Sequence, residues 1–230
     1  MHTRSVVPSH KPSHTMFRPL FLCLFLPFIA CSDTQTVDTT DAEGYRENYQ
    51  VRRDNLAREG TYERFDPQGV LLESATYRND TLDGERRMYR PDGSLEISES
   101  YQNGRFAGPY RSYYPDGSLQ QYGVYTNNAM NGSWIGFYPS GDTMEVVTFI
   151  DNQENGAFRE YYENGNLKAR GFYLGGDQED GPLELFDENG ELERRMTCDR
   201  GICRTVWTRE DGDVTPVPLP DLSDVLPDNS

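Results

Sequence analysis

The sequence predicts an all-β protein, a single-layer antiparallel β-meander solenoid of about six 24-residue hairpin repeats. The first observation is a ladder of glycines spaced by 24 residues, with a last spacing of 25: Gly60, Gly84, Gly108, Gly132, Gly156 and Gly181. A second glycine follows each of these after nine residues: Gly69, Gly93, Gly117, Gly141, Gly165 and Gly190. An aromatic residue also stands five positions after each first glycine. Agreement at so many positions defines an internal repeat.

Each repeat is predicted to run strand, turn, strand, turn. In the third copy the strand Pro109–Tyr114 leads into the turn Pro115-Asp116-Gly117, where proline presets φ and glycine supplies a positive φ. The strand Ser118–Tyr125 follows and ends at Asn127-Asn128, a pair that tolerates the left-handed conformation of tight hairpins. The turn aspartates are therefore interpreted as turn residues rather than calcium ligands. No segment shows sustained helical periodicity.

Strand alternation predicts two faces. Counting from the first glycine of each repeat as position 0, we assign the aromatic at +5, the leucine at +11 and the aromatic at +17 to the core. Positions +2 and +6 are expected on the opposite face, where the middle copies carry an aromatic strip: Tyr110, Tyr114, Trp134, Tyr138, Phe158 and Tyr162. Two interpretations stay open, cross-strand packing that stiffens the sheet and a binding strip for a protein segment or a glycan.

The first thirty residues are predicted to be a lipoprotein signal peptide. The apolar stretch from Leu20 to Ala30 is too short to span a bilayer as a helix, and a basic segment precedes it. The run Phe28-Ile29-Ala30-Cys31 resembles the bacterial lipobox, which implies that Cys31 is lipidated. Cleavage without lipidation is the alternative, and translation could start at Met1 or at Met16.

The chain that follows the signal is divided into three parts. Residues 31–54 are predicted to be a tether and an N-terminal cap, with a flexible tether over 32–43 and either a degenerate repeat or a capping helix over 45–56. Residues 55–203 hold the repeat array. Residues 204–230 are predicted to be a last strand and a disordered, acidic, proline-rich tail.

The composition of the chain narrows the classes of function that the protein can have. Removal of residues 1–30 takes away three basic and no acidic residues, so the net charge goes from −16 to −19, which argues against nucleic acid and anionic membrane surfaces as partners. All three histidines also leave, which excludes histidine-based triads and metal sites. We therefore predict no catalytic residues, no cofactor and no metal. Cys198 and Cys203 are expected to form a disulfide across the Asp199–Ile202 turn.

A family resemblance rests on the third copy. From Gly108 to Leu119 the sequence reads G-P-Y-R-S-Y-Y-P-D-G-S-L, and a tyrosine and a turn asparagine follow. This pattern resembles the MORN repeat in the bacterial variant found in proteins named after the YwqK-type antitoxin. The resemblance covers residues 55–203 and implies the hairpin-array fold. Such arrays serve elsewhere as scaffolds, dimerisation modules or suggested lipid binders, so the resemblance specifies the fold better than the function.

These observations together predict a non-enzymatic cell-envelope lipoprotein whose array is a protein-interaction or scaffolding module. By resemblance to Gram-negative lipoproteins, Ser32 after the modified cysteine favours a location in the outer membrane, with the protein facing the periplasm. The expected partner is an envelope protein or a glycan, the membrane contact is the lipid alone, and an oligomer is compatible with the array. The alternatives are a toxin-neutralising antitoxin or immunity protein and, less favoured, an envelope polymer hydrolase.

Overall fold

The computed structural model describes residues 33–211, which form one antiparallel sheet and a short 3-10 helix, Arg209–Asp211. The first nine strands are β1 Thr34–Thr40, β2 Arg46–Arg52, β3 Arg58–Phe65, β4 Leu71–Arg78, β5 Thr81–Tyr89, β6 Leu95–Gln102, β7 Arg105–Phe106, β8 Gly108–Tyr113 and β9 Leu119–Thr126. The others are β10 Ala129–Met130, β11 Gly132–Phe137, β12 Thr143–Ile150, β13 Gln153–Tyr161, β14 Leu167–Tyr173, β15 Gly181–Phe186, β16 Leu192–Asp199 and β17 Ile202–Thr208. The predicted signal peptide and the predicted tail beyond 211 lie outside the described residues.

Strands pair in chain order throughout the described range. The short strands β7 and β8 together pair with β6, and β10 and β11 together pair with β9. The remaining strands pair antiparallel with their neighbours in the chain, and the end strands β1 and β17 pair only with β2 and β16. The sheet is therefore an open meander in a single layer, and the predicted fold class is confirmed.

The turns between repeats form a bonded ladder along one edge of the sheet. Asn127 and Asn128 have φ values of 51° and 70°, as the central residues of a type I′ turn require. The backbone N–H of Asn128 donates to the carbonyl of Phe106 at 2.9 Å, and its Oδ1 accepts from the N–H of Phe106 at 2.7 Å. Asn152 makes the same two bonds to Met130, so these turns are bonded to residues 22 positions earlier, beside the preceding turn.

The first glycine of each repeat lies where consecutive repeats meet. Between β4 and β5 the pairing jumps from Ala75 with Arg86 to Tyr77 with Leu82, and Gly84 sits in the resulting bulge with φ of 132°. A Cβ at Gly84 would lie 3.0 Å from Cβ of Thr76. Positive φ and the close approach together require glycine here, which explains the 24-residue glycine spacing.

A β-bulge inside every hairpin corrects the predicted assignment of faces. In the first repeat Arg64 pairs with Glu73 but Phe65 pairs with Leu71, so one extra residue lies between +11 and +13. The same shift occurs in the other five repeats. Because the bulge resets the alternation, the +17 ring shares a face with the +2 ring, as Tyr77 and Tyr62 show at 5.8 Å. The prediction that +5, +11 and +17 form one core was therefore wrong.

We call the side that carries the +2, +4, +13, +15 and +17 side chains the aromatic face. Most buried apolar residues lie there, including Trp134, Val147, Phe158, Ala169 and Leu183. The +3 and +14 side chains occupy the opposite face.

The prediction of a flexible tether over 32–43 was wrong for most of its length. Residues Thr34–Thr40 form β1, which pairs in continuous register with β2. The segment 45–56 accordingly contains the second strand of a degenerate hairpin rather than a capping helix. The physical reason is that an edge strand needs only backbone pairing, and most side chains of β1 are exposed. At the other end, β17 confirms the predicted last strand.

Candidate functional site

The rings at +2 and +17 form the packed centre of the aromatic face. The Trp134 ring centroid lies 5.5 Å from that of Tyr110, 5.1 Å from that of Tyr125 and 6.1 Å from that of Phe149. Phe158 stacks on Tyr173 at 4.2 Å. Trp134 and Phe158 are each only 3% exposed, and Nε1 of Trp134 has no hydrogen-bond acceptor among the described residues. Trp134 and Phe158, two residues of the predicted strip, are therefore part of the hydrophobic core.

The +6 side chains of the same strip hold consecutive repeats together. The hydroxyl of Tyr114 donates to the carbonyl of Phe137 at 2.8 Å, and that of Tyr138 donates to the carbonyl of Tyr161 at 2.7 Å. Tyr162 extends the series by donating to the carbonyl of Phe186 at 2.9 Å. In the second repeat the guanidinium of Arg90 takes this role and donates to the carbonyl of Tyr113.

These hydroxyl-to-carbonyl hydrogen bonds support the interpretation that the +6 tyrosines stiffen the sheet, because their polar groups bind the next repeat. Spacing alone could not identify the contact, since the acceptors are backbone carbonyls that leave no mark in the sequence.

Beside the aromatic core the face has a shallow depression of about 390 Å³. Its floor follows one cross-strand row in which Ile97 pairs with Ser112, Ser112 with Gln121, Gln121 with Gly136 and Gly136 with Glu145. The walls are formed mainly by Arg90, Glu96, Tyr110, Tyr114 and Met144. Small or polar floor residues leave this row unfilled by the protein itself.

A second depression of about 250 Å³ lies further along the same row. It is lined by Glu160, Ala169 and Leu185 among others, and these continue the register, because Glu145 pairs with Glu160, Glu160 with Ala169 and Ala169 with Leu185. The two depressions thus adjoin where Glu145 faces Glu160. We name the whole row, from Ile97 to Leu185, the floor row.

The junction of the two depressions carries excess negative charge. Glu160 forms an ion pair with Nζ of Lys168 at 2.9 Å, whereas Glu145 makes no hydrogen bond or ion pair within residues 33–211. Burial and then the charge of Glu160 raise the pKa of Glu145 above its ordinary value, although the charge of Lys168 acts in the opposite direction. Like charges directly opposite each other on a sheet are destabilising, so this arrangement weakens the free protein.

Neighbouring carboxylates add to the negative electrostatic potential at this junction. Burial, followed by the charges of Asp177 and Glu145, raises the pKa of Glu154. Burial and the nearby carboxylates, Glu154 first among them, raise the pKa of Tyr173 to about 12. A cationic group placed over the floor row would relieve these repulsions.

Two groups of charged side chains at other repeats are neutralised by ion pairs. In the second repeat Arg86 replaces the +2 aromatic, and its guanidinium lies 2.7 Å from Glu73 and 3.5 Å from Glu99. On the opposite face Glu184 is 2% exposed and lies between Arg170 at 2.6 Å and Arg195 at 2.9 Å. These groups stabilise the sheet. Glu145 differs from them, because it has no ion pair of its own and the nearby Lys168, which partly offsets its charge, is paired with Glu160.

The turn aspartates act as predicted. Oδ1 of Asp116 accepts hydrogen bonds from the backbone N–H of Ser118 at 2.9 Å and from its hydroxyl at 2.6 Å. Asp92 and Ser94 repeat this pattern one repeat earlier. Among the described residues no three His, Cys, Asp or Glu side chains converge to hold a metal ion.

The predicted disulfide is present. Cys198 and Cys203 pair directly across β16 and β17, with Cα atoms 4.0 Å apart and a bond between their sulfurs. It closes the final hairpin, where no further repeat follows within the described residues.

The comparison with known families agrees with the geometry. The MORN repeat variant model matches residues 58–79, 82–103, 107–127 and 154–174, so four of the six repeats are MORN-variant repeats. The fourth and sixth repeats lie outside the matched segments and still form the same bulged hairpin. No curated protein shows significant similarity to this chain. Within residues 33–211 no helix has the length and apolarity to cross a membrane.

Proposed function

We propose that the chain is a non-enzymatic lipoprotein of the bacterial cell envelope whose aromatic face binds an extended, arginine- or lysine-bearing segment of another envelope protein. The observation that carries the proposal is Glu145 on the floor row, which has no ion pair of its own and faces Glu160 where the two depressions meet, so that two carboxylates share the single charge of Lys168. The excess negative charge at this junction is available to a cationic partner, whereas half-buried Glu73 and buried Glu184 are already paired with arginines.

The geometry favours an extended ligand. The floor row crosses from β6 to β15, and neighbouring strands lie about 4.8 Å apart. A segment that fills both depressions must pass over Glu145 and Glu160 midway. Sugars would instead need open aromatic rings, and Trp134 and Phe158 are buried, so a polypeptide is the better-supported ligand class.

Two features support the envelope location. A disulfide such as Cys198–Cys203 persists in an oxidising compartment. Lipidation at Cys31 would also leave only two residues before β1, a reach of roughly 10 Å, and would hold the first strand close to the membrane. We infer the outer membrane, facing the periplasm, from Ser32.

The location is tested by the intact mass of the protein from fractionated native cells. We expect a membrane-bound species that begins at acylated Cys31 and takes up two alkyl labels only after reduction. A soluble, unlipidated species with free thiols would contradict the proposed address.

Binding is tested with the mature chain and a synthetic (Arg-Gly)5 peptide. We expect Glu145→Gln to weaken binding about tenfold, equivalent to about 1.4 kcal/mol. Glu188→Gln removes the same charge at an exposed turn and should leave the affinity within about twofold, a change of roughly 0.4 kcal/mol. Equal affinities for the two variants would refute a site at Glu145.

The native partner can be captured through Lys168, the single lysine after residue 30, which lies on the wall of the second depression. An amine-reactive cross-linker applied to cells should join Lys168 to a basic segment of one envelope protein, and Glu145→Gln should reduce that product. Binding to isolated envelope glycan without peptide binding would favour the glycan ligand instead. A single secreted toxin as the cross-linked partner would favour the toxin-neutralising alternative.

A further inference from the structure

The face opposite the aromatic face carries a row of arginines. The row joins directly paired +3 and +14 side chains from Arg111 on β8 to Arg195 on β16, and we name it the arginine row. It contains four arginines and one carboxylate, that of Glu184. The whole chain has 38 acidic and 22 basic residues, so the charge of this row is opposite in sign to that of the protein.

Positive charge is in excess at one end of the arginine row. Arg159 pairs with Arg170 across β13 and β14, and like charges directly opposite each other on a sheet are destabilising. Glu184 lies 2.6 Å from Arg170 and 2.9 Å from Arg195, so it already serves two guanidinium groups. Half-buried Arg159 makes no side-chain hydrogen bond or ion pair within residues 33–211. An anionic group bound at Arg159 would therefore relieve the repulsion.

The other end of the arginine row is formed by Arg111. Its guanidinium lies over the ring of Tyr122, 5.2 Å from the centroid, and makes no ion pair among the described residues. Burial opposes the ionisation of Glu85, but bonds from Ser98 and Arg87, and then the charge of Arg111, hold its pKa below the ordinary value. Because Arg87 already binds Glu85 at 2.6 Å, Arg111 keeps its N–H groups for a second anion.

The middle of the arginine row is uncharged. Tyr122 pairs with Ile135, and Ile135 pairs with Val146. Between Arg111 and Arg159 the row passes through β9, β11 and β12, a distance of about 19 Å at about 4.8 Å per strand interval. An extended polypeptide rises about 3.4 Å per residue, so acidic residues about six positions apart reach both arginines. An even spacing also places both carboxylates on the same side of the segment.

We propose that the arginine row binds an extended acidic segment of a partner protein, in which two carboxylates about six residues apart flank uncharged residues. The carboxylates bind at Arg111 and Arg159, and the uncharged residues lie over Ile135 and Val146. A uniformly charged polyanion would have to desolvate charges over this uncharged middle, so the pattern favours a polypeptide of mixed composition. The surface lies on the other side of the sheet from the floor row and does not depend on the cationic ligand proposed there.

The test titrates the mature full-length chain with the synthetic peptide Glu-Gly-Val-Gly-Val-Gly-Glu. An ionic strength of about 0.15 M screens charges beyond about 8 Å, so the acidic remainder of the protein does not mask the arginine row. We expect Arg159→Gln to weaken binding about fivefold, as the loss of one partly exposed ion pair does. Arg159→Lys keeps the charge and should retain most of the affinity. Arg105→Gln removes the same charge at an exposed position of β7 and should leave the affinity within about twofold.

A second peptide of the same composition tests the spacing of the carboxylates. In Val-Gly-Glu-Gly-Glu-Gly-Val the glutamates are too close together to reach both arginines, so it should bind about fivefold more weakly than the first peptide. Equal affinities of the two peptides would overturn the proposal, and so would equal affinities of the wild-type protein and Arg159→Gln for the first peptide.

Two further measurements separate this surface from other interactions. Glu145→Gln should leave the binding of the acidic peptide unchanged, and Arg159→Gln should leave the binding of (Arg-Gly)5 unchanged, so the failure of either site can be recognised alone. Self-association that Arg159→Gln abolishes, in a chain that does not bind the acidic peptide, would overturn the proposal, because a second copy would then occupy the arginine row. Tighter binding of inorganic polyphosphate than of the peptide would also overturn it.

Discussion

The indole ring of Trp134 occupies the space that a side chain at Gly123 would need. A Cβ atom built on Gly123 would lie 2.1 Å from Cδ2 of Trp134. Gly123 stands inside β9 without positive φ, so its backbone would accept alanine and the conflict is purely steric. The missing side chain thus lets the largest ring of the core lie flat on the preceding repeat.

The first prediction follows from this contact. Gly123→Ala should lower the free energy of unfolding by about 1–3 kcal/mol, as overpacking of a filled core does. Urea denaturation measures the change. A smaller ring should relieve it, so the same substitution in a Trp134→Phe background should cost clearly less. Equal costs in both backgrounds would show that the indole does not oppose a side chain at 123.

The sequence predicted the parts of this fold that local chemistry determines. The turns of the third repeat carry their conformation in Asp116-Gly117 and Asn127-Asn128, and those residues adopt it. The alternation of faces was mispredicted because the bulge at Gln120, directly after Leu119, depends on pairing with β8, which no single strand reveals. The strand β1 was missed because most of its side chains stay exposed while its backbone pairs with β2.

The candidate site was predictable only in part. The strip of +2 and +6 aromatics was visible as a pattern, but burial separates Trp134 from a surface role. Glu145 had no distinguishing mark in a chain with many acidic residues. Its significance arises from the register that sets it opposite Glu160.

The second prediction concerns the inter-repeat ladder. Tyr138→Phe removes the hydroxyl that donates to the carbonyl of Tyr161 and should cost about 1 kcal/mol of unfolding free energy. Tyr161→Phe is the matched control, because its hydroxyl makes no hydrogen bond within the described residues, and it should cost much less. Hydrogen exchange near Phe137 and Tyr161 would show whether the loss is local. Equal costs for the two variants would contradict a bonding role for Tyr138.

The third prediction concerns the disulfide. Replacement of Cys198 and Cys203 by serine should lower stability by about 2 kcal/mol, the value expected for a small closed loop. Reduction of the wild-type protein should have a similar effect and none on the double variant. The loss should appear first in the exchange of β16 and β17, since the bond joins only these strands. Identical melting of oxidised and reduced wild-type protein would contradict this role.

The fourth prediction links stability to binding at Glu145. Burial and Glu160 raise the pKa of this carboxyl in the folded protein, while the unfolded chain keeps a value of about 4.3. Between the two values the folded state binds more protons than the unfolded state, so stability falls as pH rises through this window. Glu145→Gln should therefore raise the melting temperature at pH 7, and its advantage should shrink as the pH is lowered below the unfolded value.

Glu188→Gln serves as the control, because it removes an equal charge at an exposed turn and should not show this pH-dependent gain. The direction of the effect separates two roles for Glu145. A carboxylate kept for structure would destabilise the fold when it is removed, at every pH. A carboxylate kept for a cationic ligand should strengthen the fold and weaken (Arg-Gly)5 binding when it is replaced by glutamine. Loss of stability together with unchanged peptide affinity in Glu145→Gln would therefore exclude the binding role.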